Sequence, residues 1–204
     1  MITIIDYGIG NISAFVNIFK KYDIPVTIAS NEDDLKNVDK LILPGVGAFD
    51  YAMQRLNNSG MKDRLNELVL QEKKYILGVC VGMQLMADSS DEGMLTGLGW
   101  IKGSVKKISI KNIQHRSKLP HMGWNDVEPV INHAIFNNMK EKESFYFLHS
   151  YYFDVQNVDN SYGITNYGEK FASVVGADNI LGIQCHPEKS HDIGELFLRN
   201  FANL

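Results

Sequence analysis

The chain has 204 residues, 45% of them hydrophobic, enough for one full core in a single domain spanning 1–204. A formal net charge of −4, with Lys and Arg scattered, leaves no basic footprint and argues against a nucleic-acid partner. No apolar run approaches the roughly 18 residues that span a bilayer, there is no basic leader, and Cys80 and Cys185 do not make a disulfide framework. The expectation is a cytoplasmic protein with reduced thiols and no membrane contact.

Short apolar runs alternate with amphipathic segments through the first half, the pattern of βαβ units around a parallel sheet. "ITII" (2–5) predicts a buried strand; Asn11 then offers a cap to a helix whose apolar positions are Ile12, Phe15, Val16 and Phe19. Pro25 stops that helix, and "VTIA" (26–29) restarts a strand. "KLIL" (40–43) is a third strand, broken by "PGVG" (44–47), with helices over 49–56 and 61–71. A fourth strand, "YILGV" (75–79), runs into Cys80, with a helical stretch "MQLMA" after it.

Beyond Gly97 the texture changes. "VKKISI" (105–110) alternates and "FYFLHSYYF" (145–153) is aromatic-rich, which favours antiparallel hairpins. "NILGIQC" (179–185) is a last strand, followed by "HPEKSHD" and an amphipathic helix through Ile193, Leu196, Phe197 and Phe201. The fold class is α/β: a central, mostly parallel sheet flanked by helices, with an additional antiparallel portion in the second half.

Two motifs carry candidate chemistry, and a third is weaker. "DYGIGN" puts G-x-G between strand and helix, but Ser13 replaces the third glycine of a dinucleotide fingerprint, so Gly8 and Gly10 read as a tight turn. "GVCVG" (78–82) is G-x-C-x-G, the thiol form of a nucleophile elbow, in which small neighbours permit a strained turn and a helix N-terminus favours thiolate. On this stretch alone a buried structural cysteine stands beside the nucleophile. His186, at the carboxyl end of an apolar strand, supplies a base, and Glu188 is spaced to fix its tautomer. Together Cys80, His186 and Glu188 form a nucleophile–base–orienter set. Oxyanion donors are the N–H of Val81, and of Val46 or Gly47 in "PGVG". A metal site from Cys80, Cys185 and His186 fails, because strand neighbours point to opposite faces.

"IIDYGIGN", "LPGVGAF", "GVCVGMQL", "PHMGWN", "FLHSYY" and "HPEKS" together resemble the class I (triad) glutamine amidotransferases, and among them the glutaminase subunits of imidazole glycerol phosphate synthases, over nearly the whole chain. The resemblance implies that Cys80 attacks the carboxamide of glutamine, His186 protonates the departing ammonia and then activates water, and Glu188 orients His186, with no cofactor and no metal. It implies that Gln84 contacts the amino-acid end of the substrate, and that backbone around His149, Ser150 and Tyr151 holds the rest, the His149 ring being structural. It further implies a heterodimer with a (β/α)8-barrel cyclase subunit that receives ammonia through a channel. "PHMGWN" is then interface, with Trp124 the anchor and His121, Met122 and Asn125 around it, and the "PGVG" loop becomes a candidate switch for the oxyanion donors. Rival readings are a paralogous subunit feeding a surface-glycan sugar amidotransferase, a nucleotide-binding regulatory α/β module, and an α/β cysteine peptidase.

Overall fold

The computed structural model describes residues 1–114 and 118–204. The first half contains β1 (Ile2–Ile5), α1 (Ile12–Lys21), β2 (Val26–Ala29), β3 (Lys40–Gly45), α2 (Phe49–Asn58), α3 (Lys62–Asn66), β4 (Tyr75–Cys80) and α4 (Val81–Gln84). There follow β5 (Ser89–Ser90), β6 (Gly103–Lys107), β7 (His121–Pro129), β8 (Glu143–His149), β9 (Tyr151–Val155), β10 (Ser161–Asn166), β11 (Lys170–Ala177), β12 (Ile180–Ile183) and α5 (His191–Ala202).

These strands join one mixed sheet, ordered β2-β1-β3-β4-β12-β11-β10-β7-β8, with β9 pairing β11 and β6. The stretch from β2 to β12 is parallel, and the sheet continues antiparallel from β11 through β8. The parallel interior explains the uniform apolar runs: all four residues of β1 and of β12 are buried, because helices cover both faces of such a sheet. Helix α1 buries Phe15, Ile18 and Phe19. Helix α5 buries Phe197, Leu198 and Phe201, and Lys21 and Tyr22 both reach its Glu195.

Several local expectations are corrected. Asn11 sits at the N-cap of α1, but its side chain makes no capping hydrogen bond. The first helix ends well before Pro25, as Asp23 takes a left-handed φ of 54°. Strand β3 is not broken at Pro44; it continues to Gly45, in register with Val79 and Cys80 of β4. The helix over 61–71 is α3 followed by a wider π-type turn over 67–71, closed by Glu72 N–H to the Glu67 carbonyl at 3.0 Å. The aromatic run at 145–153 is two strands meeting at Ser150, one paired with β7 and the other with β6.

Register is what makes a site. β3, β4 and β12 are adjacent and parallel, with Gly45 opposite Cys80 and Ile183 opposite Val79. Their carboxyl ends therefore deliver the "PGVG" turn, Cys80 and the segment 184–188 to one place, the edge where ligands bind in open α/β sheets.

Candidate active site

Cys80 has φ 55° and ψ −114°, a left-handed backbone that costs a non-glycine residue about 1–3 kcal/mol and persists only where the surroundings enforce it. The neighbouring glycines show how. A Cβ on Gly82 would lie 1.9 Å from the Leu43 carbonyl oxygen, and one on Gly45 would lie 2.3 Å from the Gly82 nitrogen. The elbow thus presses directly on β3, and only glycine fits at either surface. Helix α4 is a single turn of four residues, so it supplies local N–H groups rather than the dipole of a long helix.

The candidate base arrives from the next strand. His186 Nδ1–H donates to Glu188 Oε1 at 2.8 Å, with both side chains buried. Its ring lines the same cavity as Cys80, close enough for the two groups to bias each other's charge. Burial pulls the His186 pKa down, but the neighbouring Cys80 and the hydrogen-bonded Glu188 carboxylate outweigh it and hold the group up to about 10. The loop is fixed by backbone: His186 N–H donates to the Tyr146 carbonyl, and Ser190 Oγ accepts from Tyr146 N–H while donating to the His186 carbonyl. Glu188 Oε2 is buried with no hydrogen-bond partner among the described residues.

A cavity of about 300 Å³ opens over this pair. Its wall brings together Val46, Gly47, Cys80, Val81, Gln84 and His186. His149, Ser150 and Tyr151 complete it, so the candidate nucleophile and base, the oxyanion candidates and the substrate candidates share one space. Gln84 is partly committed elsewhere: its Nε2 donates to the Tyr151 carbonyl and to Gln184 Oε1, both at 3.0 Å, which leaves its carbonyl oxygen to meet a ligand's donor. The His149 ring is turned inward, to the Tyr151 carbonyl and to His121, in keeping with a structural ring.

Strand β7 divides its residues by alternation. Met122 and Trp124 face outward, Trp124 half-exposed and stacked on His191 at 5.2 Å, edge-on to Tyr146. His121 differs from the expectation of a surface contact: it lies on the opposite face, buried between Phe147 and Tyr167, with Asn125 beside it donating to its Nε2. The core tryptophan is Trp100, whose indole N–H reaches Asn66.

Three polar side chains of the cavity or site escaped the sequence reading. Glu92 lines the wall and accepts the Phe49 N–H at 2.8 Å, closing the start of α2, while Asp50 accepts from Met94 and Leu95 in return. Lys189 lines the same wall, its ammonium over the Tyr146 ring. Gln184 Nε2 approaches Cys80 Sγ at 3.7 Å. A larger depression of about 630 Å³, between the segment 112–114 and β7, holds no member of the triad. Among the described residues there is no cluster of His, Cys, Asp or Glu suited to a metal ion, both cysteines are free, and no helix is long and apolar enough to cross a membrane.

Comparison with known proteins places this geometry. The family model "Glutamine amidotransferase class-I" matches residues 3–203. The chain is 50% identical to the imidazole glycerol phosphate synthase subunit HisH of Bdellovibrio bacteriovorus, covering 100% of both chains. It is 45% identical to the subunit of the same name from Leptospira interrogans, again over 100% of each. Among solved structures, PurLQS from Thermotoga maritima superposes with TM-score 0.74 at 17% identity, covering 99% of this chain and 97% of the other. The glutaminase domain of Trypanosoma brucei CTPS with bound acivicin gives TM-score 0.63 at 14% identity, covering 99% and 93%.

Proposed function

This chain belongs to the class-I glutamine amidotransferase family, and on that premise we propose that it is the glutaminase subunit of an imidazole glycerol phosphate synthase. It hydrolyses glutamine to glutamate and ammonia, and passes the ammonia to a (β/α)8-barrel cyclase partner. The cyclase forms imidazole glycerol phosphate and an aminoimidazole carboxamide ribotide, in histidine biosynthesis. The observation that carries the chemistry is the strained Cys80 elbow sharing one cavity with His186, whose ring is held by Glu188. Full-length likeness to HisH subunits supports the choice of synthase.

The mechanism follows from these positions. With the Cys80 proton already on His186, Sγ attacks the carboxamide carbon from a thiolate–imidazolium pair, and the resulting oxyanion meets the N–H of Val81 and of Val46 or Gly47. His186 returns the proton to the departing nitrogen, releasing ammonia and a γ-glutamyl thioester. It then deprotonates water, which displaces the sulfur to give glutamate. Glu188 keeps Nδ1 protonated, so that Nε2 is the nitrogen facing the thiol. Glu92, a carboxylate on the cavity wall not engaged with His186, suits the substrate's α-ammonium, and Gln84's carbonyl oxygen accepts from the same group.

Ammonia released into neutral water becomes mostly ammonium, a poor nucleophile, which favours direct transfer. Met122, Trp124 and Leu148 are exposed apolar side chains on paired strands, and Leu148 is also on the cavity wall. An aromatic anchor with aliphatic neighbours beside the site suits a partner's docking face. The test is nitrogen transfer: this chain mixed with the barrel cyclase, amide-labelled glutamine and the phosphoribulosyl-formimino nucleotide gives labelled imidazole glycerol phosphate. Label appearing only as free ammonia, or only in an aminated sugar with a different barrel partner, refutes the reading.

A further inference from the structure

A continuous run of hydrogen bonds connects strand β7 to the nucleophile, and its donor directions are fixed from one end to the other. The anchor is the Tyr151 carbonyl, which only accepts. Gln84 Nε2 donates to it, so the Gln84 amide has one orientation, and its second N–H goes to Gln184 Oε1. With its oxygen spent as acceptor, Gln184 must turn its amide nitrogen toward Cys80 Sγ, 3.7 Å away. His149 Nδ1–H donates to the same carbonyl at 2.7 Å, so its Nε2 accepts from His121 Nδ1–H at 2.9 Å. His121 Nε2 in turn accepts from Asn125 at 3.1 Å. Burial above all drives the His149 pKa down to about 3, which keeps this tautomer neutral at working pH. The register explains the proximity: Ile183 pairs with Val79, so the next residue of each strand, Gln184 and Cys80, come side by side.

We propose that Gln184 is a catalytic residue: its Nε2–H donates to Cys80 Sγ and stabilises negative charge there, and the chain through Gln84, Tyr151, His149 and His121 keeps that donor aimed. Charge on the sulfur develops twice. It appears first when the thiol loses its proton to His186. It appears again when water's oxygen bonds the thioester carbon, water's proton goes to His186, and the C–S pair returns to Sγ. The ionisable groups around the sulfur are His186 and Cys185 from the segment after β12, Tyr7 from the loop after β1, and Glu92, His149 and Lys189 on the cavity wall. Gln184 adds a neutral donor that cannot be titrated away, and buried charge-assisted hydrogen bonds are the stronger kind.

This inference rests on Cys80 being the nucleophile of the proposed glutaminase. The deciding variant is Gln184→Glu, which keeps an acceptor for Gln84 but replaces the N–H facing sulfur with oxygen. The wild-type chain in complex with its cyclase serves as reference, with Cys80→Ala as blank. The expected result is an unchanged melting temperature and glutamine KM, with both kcat and the rate of Cys80 alkylation by iodoacetamide at neutral pH reduced about tenfold or more. A folded Q184E that alkylates and turns over at wild-type rates overturns the role of Gln184 alone, while a wild-type chain unreactive at Cys80 removes the premise. Should Q184E not fold, His121→Phe decides: it preserves the ring stack with Phe147 and Tyr167 but withdraws the donor to His149. A reduced alkylation rate at constant KM supports the aimed donor, and a wild-type rate overturns it.

Discussion

Replacing Gly82 by alanine strikes at the contact that makes the elbow. The added Cβ would lie 1.9 Å from the Leu43 oxygen, 2.8 Å from the Leu43 carbonyl carbon and 3.1 Å from that of Pro44, all backbone atoms of β3. No rotamer relieves this, because the obstacle is a strand paired on both sides, with β1 and β4. The turn carrying Cys80 must retreat by about 1 Å, a displacement that costs a reacting pair on the order of a hundredfold in rate. Overpacking of this kind costs about 1–3 kcal/mol, a melting-temperature loss between about 2 and 12 °C in a chain of this size. Gly60→Ala is the control: Gly60 also has positive φ, 74°, but nothing lies within 4 Å of its Cβ position. It should lose about 1 kcal/mol of stability and no activity. The assay is glutamate release with the cyclase bound, beside thermal unfolding of both variants. A Gly82→Ala protein with wild-type kcat and melting temperature would refute the claim that contact with β3 sets the nucleophile's position.

Glu188→Gln should lower kcat by about a hundredfold or more with little change in glutamine KM, since it removes the carboxylate that fixes His186 and raises its pKa; steady-state kinetics check it. The histidines predict opposite pH flanks for stability. His186 is held above its usual 6.5, so its contribution is complete below about pH 6.5 and is lost as pH rises toward 10. His149 is depressed, so its contribution is present above about pH 6.5 and is lost as pH falls toward 3. Urea midpoints across pH 5–10 should therefore show an alkaline decline that His186→Ala flattens. Trp124→Ala, altering a half-exposed ring, should leave folding intact and weaken cyclase binding by about 2 kcal/mol, thirtyfold in Kd, by calorimetric titration.

The inner strands β1 and β4 of the parallel half were legible because they are buried on both faces, so "ITII" and "YILGV" stand out against amphipathic neighbours. The elbow was legible because G-x-C-x-G encodes its own geometry: Cys80 takes the strained φ and Gly82 the close approach. His121 was misjudged although the signal was present, since alternation along β7 already sets it opposite Met122 and Trp124. Glu92 and Gln184 carry no local signal. Glu92 matters because α2 begins beside it, and Gln184 because β12 runs parallel to β4, relations between residues 43 and 104 positions apart. The end of β3 was misplaced for a similar reason: Pro44 ordinarily ends a strand, yet Tyr7 donates its hydroxyl to the Pro44 carbonyl at 2.6 Å and Gly45 pairs beside Cys80.

The central claim, that Cys80 and His186 turn over glutamine on behalf of a barrel cyclase, is tested most directly by glutamate release. The purified chain is assayed alone and mixed with the cyclase, with and without the phosphoribulosyl nucleotide, with Cys80→Ala as the control. Strong activation by cyclase plus nucleotide, absent in Cys80→Ala, is the predicted result. Turnover that survives in Cys80→Ala, or that is indifferent to both cyclase and nucleotide, would contradict it.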